Sequence, residues 1–115
     1  KRIEKTYLPM RDYDGNPYLE AGSIWQRQSH IYEAPFYYID YTLAQICAFQ
    51  FWKRSFEDRD TAWKDYLHLC KLGGSKPFTE LVKEANLLSP FEDGCVESVV
   101  GTIETWLNSV DDKAL

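Results

Sequence analysis

The chain has 115 residues, 44% of them hydrophobic and 16% aromatic, and a formal net charge of −5. That length fits one domain with a core of its own, and so aromatic a composition excludes a disordered chain. The acidic balance, with no basic stripe anywhere, argues against a nucleic-acid backbone as partner.

Lys1 to Arg11 is weakly patterned, with Leu8-Pro9 closing a short segment. Asp14-Gly15-Asn16-Pro17 is a turn signal, and Asn16-Pro17 can open a short helix through Tyr18 and Leu19. Gly22 interrupts it. Ser23-Ile24-Trp25-Gln26 then matches a capping box, which predicts a helix from Ile24 to about Tyr32. His30 falls near the end of that helix, before Pro35 turns the chain.

The stretch His30 to Trp52, HIYEAPFYYIDYTLAQICAFQFW, organises the rest. Pro35 suits a first helical position, where its missing amide costs nothing. Nothing breaks the pattern until around Phe56, so the spacing predicts a helix over about 35–56, roughly 30 Å long. Phe36, Tyr37, Ile39, Leu43, Ile46, Cys47, Phe49, Phe51 and Trp52 go nearly all the way round it, the mark of a long buried central helix. Asp40, Gln45 and Gln50 punctuate the run and Lys53-Arg54 end it, which argues against a membrane span.

Glu57 to Asp60 is a solvated turn rich in N-cap residues. Trp63, Tyr66, Leu67 and Cys70 follow at i, i+3, i+4 and i+7, the apolar face of a helix ended by Gly73-Gly74. Ser75-Lys76-Pro77 starts another, with Phe78, Leu81, Val82 and Ala85 as its apolar face. Ser89-Pro90 and Asp93-Gly94 frame a loop. Beyond it Val96, Val99, Val100, Ile103, Trp106, Leu107 and Val110 give the cleanest 3–4 repeat in the chain. No stretch alternates usefully at period two. The expected fold is all-α, a compact multi-helix domain in which residues 1–115 form a single helical segment.

The chemistry concentrates in one corner. Tyr37, Tyr38 and Tyr41 put three phenols at the start of the central helix, with Asp40 among them and His30 just upstream. A core needs apolar volume, whereas each buried hydroxyl needs a partner. Packing explains such a cluster, and so does a pair of phenols aimed at a developing oxyanion. The second histidine, His68, has Lys64 and Asp65 one turn away and is expected at the surface. Cys47, Cys70 and Cys95 contain no CxxC pair, and the expectation is three reduced core thiols in a cytosolic protein. No H-E-x-x-H, P-loop or GxGxxG motif occurs.

The run GSIWQRQSHIYEAPFYYIDYTLAQICAFQFW, residues 22–52, resembles the C-terminal catalytic segment of oligoendopeptidases. These belong to the zinc metallopeptidase family that includes oligoendopeptidase F and thimet oligopeptidase. The similarity continues through Tyr66 to Gly74 and Leu87 to Gly94. It implies a mostly helical protein, with a channel that admits short peptides. It also implies zinc held by two histidines of H-E-x-x-H and a later glutamate, with the motif's own glutamate as general base. This chain has none of those four residues.

By the resemblance, the chain supplies a second catalytic element. His30 contacts the substrate backbone or the tetrahedral intermediate, and a tyrosine hydroxyl polarises the scissile carbonyl. A spacing of three favours Tyr38 and Tyr41; a shorter interval after the histidine brings in Tyr37 with Tyr41. The chain opens on Lys1-Arg2, as though cut from something longer. The expectation is the substrate-facing part of a cytoplasmic zinc endopeptidase acting on oligopeptides. The piece alone is expected to be inactive, to need the remainder of its catalytic domain, and to self-associate. The alternative is a stand-alone helical module that binds a peptide or protein without cleaving it.

Overall fold

The structure, a computed structural model, describes residues 1–111. It is all-α: seven α-helices and one 3-10 turn, with no strand among the described residues. None of these helices is long and apolar enough to cross a membrane. The chain divides into two compact units, Lys1–Ile39 and Asp40–Leu115.

In the first unit α1 (Arg2–Tyr7) precedes a loop, and α2 (Pro17–Glu20) is capped by Asn16, whose side chain accepts from the Tyr18 and Leu19 amides. The organising residue is Tyr13. It is buried, its hydroxyl donates to the Glu4 carboxylate, and Lys5 lies 5.1 Å from its ring centre while donating to the Arg11 carbonyl. That bond to Glu4, before burial and the carboxylate's charge, pushes the Tyr13 pKa up to about 12. Sequence pattern did not show this pairing, because a weakly patterned segment carries no period that marks a polar core.

The predicted helix from Ile24 to Tyr32 is corrected. A 3-10 turn spans Ile24–Arg27, and α3 (His30–Glu33) is a separate short turn. Ser23 makes no side-chain capping bond, since its own backbone (φ −89, ψ 1) is not the extended form that aims a cap.

Helix α4 (Ile39–Glu57) starts four residues later than expected. Phe36 has φ +68, which no α-helix accommodates, so Pro35 to Tyr38 form a turn and the helix begins after it. Within the second unit α4 is the element the others are tied to. Gln50 is its buried residue, while Leu43, Ile46, Cys47, Phe49, Phe51 and Trp52 are half-buried.

Helix α5 (Arg59–Leu72) begins at Asp58, whose carboxylate accepts from the Thr61 amide and hydroxyl. Its expected inward face is corrected. Ala62 is the buried residue and Leu69 packs on the core, whereas Trp63, Tyr66, Leu67 and Cys70 are exposed. The Arg54–Asp65 ion pair ties α5 to α4, and the Tyr66 ring meets Phe51 of α4 edge to face at 5.5 Å while staying part exposed.

Helix α6 (Phe78–Glu84) ends in a Schellman motif. Asn86 takes φ +54, its amide donates to the Lys83 carbonyl, and the Leu87 amide donates to that of Val82. The same turn brings Leu87 back against Val82. These two and Ala85 form the core cluster, joined by Cys47, Phe51 and Leu69. Burying each large side chain contributes about 1.5–3 kcal/mol.

Helix α7 (Cys95–Ser109) buries Cys95 and Val99 and leaves Val96, Val100, Trp106 and Leu107 exposed. The Lys53 ammonium donates to the Ser98 carbonyl at 2.9 Å, and the Trp52 and Trp106 rings meet edge to face at 6.0 Å.

Candidate functional site

The four residues singled out in the sequence fall on three consecutive pieces of backbone. His30 opens α3, a single helical turn closed by the Glu33 amide on the Ser29 carbonyl and the Ala34 amide on that of His30. Pro35 ends it, because the ring supplies no amide to carry the pattern on. The Tyr37 amide then donates to the Ala34 carbonyl at 3.2 Å, closing a turn around Pro35 and Phe36. Tyr37 and Tyr38 leave that turn together, and Tyr41 follows on the first turn of α4.

Within the first unit three of the four come together. The Tyr38 ring lies 5.1 Å from that of His30 with a tilt of 46°, and the Tyr37 ring lies 6.0 Å away with a tilt of 31°. His30 is half-buried and its Nδ1 is shielded from solvent, while both tyrosines stay about half exposed. A cavity of about 330 Å³ opens here, lined by His30, Ala34, Pro35, Phe36 and Tyr38 among others. Tyr41 belongs to the second unit, where its ring is also about half exposed.

Such a corner has hydrogen-bonding chemistry at its rim and apolar carbon in its walls. An imidazole and phenols beside an open concavity can donate to a carbonyl oxygen that gains negative charge. Phe36 was counted in the sequence only as one more apolar residue of the central helix. Positive φ at a phenylalanine leaves no mark in a hydrophobic pattern, so its place in the turn was not legible.

The other sequence candidates lie elsewhere. His68 is exposed on α5, with its Nε2 3.1 Å from a Glu84 carboxylate oxygen, and Lys76 holds that carboxylate's other oxygen. The Lys76 bond, ahead of His68, holds Glu84 below the usual carboxylate range. The three cysteines are free, but only Cys95 is buried; Cys47 is half-buried and Cys70 is exposed, which corrects the expectation of three core thiols. No group of three or more His, Cys, Asp or Glu among the described residues is placed to hold a metal ion.

Comparison with known proteins gives a consistent result. The description of peptidase family M3 matches residues 1–100. A solved chain provisionally named oligoendopeptidase F is 73% identical with a TM-score of 0.86, over 99% of this chain. PZ peptidase A, solved with an inhibitor, is 75% identical with a TM-score of 0.85, over 96% of this chain. A chain from Bacillus anthracis str. Ames, also provisionally named oligoendopeptidase F, is 48% identical with a TM-score of 0.68, over 99% of this chain. No curated protein matches. In each structural comparison the chain spans 20% of the solved protein's length. The matched residues include the whole His30-to-Trp52 stretch, and on this evidence the chain belongs to peptidase family M3.

Proposed function

We propose that this chain is the substrate-facing part of a zinc endopeptidase that hydrolyses short oligopeptides. The observation that carries the reading is the grouping of the His30, Tyr37 and Tyr38 rings at one open corner, within the residues that match the family. His30 holds the peptide backbone. A tyrosine hydroxyl donates a hydrogen bond to the scissile carbonyl as its oxygen gains charge. That bond strengthens in the transition state and so lowers the barrier. Tyr41 is the first candidate for the donor and Tyr38 the second, with Tyr37 next.

Zinc, when bound to the whole enzyme, supplies the activated water. Its ligands are proposed to lie on the remainder of the catalytic domain, and no step assigned to this chain's residues passes through the metal. A reducing, cytoplasmic setting is proposed with it, on the odd number and wide spacing of the three cysteines in the sequence. The test is substitution in the full-length enzyme. Tyr→Phe variants at positions 41, 38 and 37 remove one hydroxyl at a time, and the reading requires at least one of them to lose most of its turnover.

A further inference from the structure

Phe36 is the outlier of the first unit. Its backbone sits at φ +68, a region that bulky side chains rarely enter. Its ring is 96% exposed, so no packing within the unit offsets that strain. Glycine would make the same reversal without a steric penalty. Strained residues of this kind cluster at ligand clamps, where the conformation serves the bound state. The location of Phe36 fits that pattern, because it lines the same cavity as His30 and Tyr38.

Resting on the peptidase reading above, we propose that Phe36 is a specificity-determining residue. Its ring covers an apolar side chain of the peptide substrate beside the scissile bond. The occupant follows from the neighbours. If His30 holds the peptide backbone, the side chain projecting from that backbone reaches the wall that Phe36 forms.

The experiment uses the full-length enzyme and paired fluorogenic peptides, identical except for Leu or Ala at one residue flanking the scissile bond. The quantity read is the ratio of kcat/KM for the Leu and Ala peptides. Phe36→Gly keeps the turn and removes the ring, and it should lower that ratio about tenfold, the scale of discrimination one apolar contact gives. Phe36→Leu restores apolar bulk and should keep most of the ratio, which guards against a folding defect being mistaken for lost specificity.

An unchanged ratio in Phe36→Gly at both flanking positions overturns the proposal. So does an equal fall for both peptides with a lowered Tm, which would assign the ring to packing against the rest of the polypeptide. The catalytic reading fails separately. It falls if the tyrosine variants turn over both peptides at wild-type rates, whatever the Phe36 ratio shows.

Discussion

The Gln50 side chain pairs with the backbone of Leu88 in both directions. Its Nε2 donates to the Leu88 carbonyl at 2.9 Å, and its Oε1 accepts from the Leu88 amide at 2.8 Å. Cys95 Sγ lies 3.4 Å from the same Nε2, so one buried amide ties α4 to the loop after α6 and to the start of α7. Leu88 follows directly on the Schellman turn that returns Leu87 to the core. The side chain thus satisfies both backbone groups of a loop residue that has no helical partner. Gln50→Leu keeps similar volume but strands that amide and carbonyl. We expect a loss of about 1–3 kcal/mol, read by urea unfolding, with faster hydrogen exchange at the Leu88 amide.

How much of this the sequence shows varies by element. Asn16 before Pro17, Asp58 before α5 and the repeat of α7 each follow from local chemistry, and each was legible. The Gln50–Leu88 pairing was not: a glutamine on an apolar helix looks like an interruption until the distant loop that it serves is in place. The same limit misled the reading of α5. Trp63, Tyr66 and Leu67 share a face by spacing, yet spacing does not say which neighbour arrives: Ala62 and Leu69 pack inward, and Tyr66 only meets Phe51 edge-on from the rim. At the candidate site the residue types and order were legible. Their backbone was not, because the kink rests on a phenylalanine with positive φ.

That Arg54–Asp65 pair predicts an acid limb of stability. The bond from the Arg54 guanidinium, ahead of other causes, holds the Asp65 carboxyl below its ordinary value. A depressed folded pKa contributes stability that is complete above the unfolded value, about 3.9, and is lost as pH falls through the folded one. Asp65→Asn should flatten that limb and lower stability near neutrality, where Arg54 keeps its bonds to the Ala85 and Asn86 carbonyls. At the alkaline end the sign reverses. Tyr13, raised by its bond to Glu4, contributes below about 10 and loses that contribution as pH rises toward about 12. Thermal melts from pH 2 to pH 12 test both limbs, and an Asp65→Asn profile parallel to wild type would refute the first.

The cysteines should separate by reactivity. Burial pushes the Cys47 thiol up first, with Cys95 nearby adding to it; burial likewise leads for Cys95, helped by Glu92 and Glu97. Reactivity follows the thiolate, so both should react slowly at neutral pH. Cys70 is exposed and should be alkylated first. Mass-spectrometric mapping under limiting iodoacetamide should find label at Cys70 well before the other two. Equal labelling of all three in the folded protein would contradict the assignment.

Several large apolar side chains of α5 and α7, among them Trp63, Tyr66, Trp106 and Leu107, are exposed. Apolar area on that scale tends to pair with something. In the isolated chain the expected outcome is self-association, visible as a concentration-dependent mass in light scattering. Co-expression with the remaining part of a full-length relative should suppress it. A monomeric profile at high concentration would show instead that water tolerates this surface.

Turnover decides the role of the corner. If the phenols only pack, a Tyr→Phe change at 41, 38 or 37 leaves the ring in place and alters little. If one of them donates to the developing oxyanion, its loss should cost about 10²–10³ in kcat, on the order of 3–4 kcal/mol. KM should scarcely move, because the bond matters most in the transition state. Tyr41→Phe is the first expectation, and Tyr38→Phe the next, since the Tyr38 ring lies nearer His30 than does that of Tyr37. His30→Ala should lower kcat/KM with some loss of substrate binding. Zinc content, measured on the same full-length variants, should stay at the wild-type level, which separates a lost hydrogen bond from a lost metal. Wild-type kcat in all three tyrosine variants would return the cluster to the structural role that aromatic residues at helical spacing commonly have.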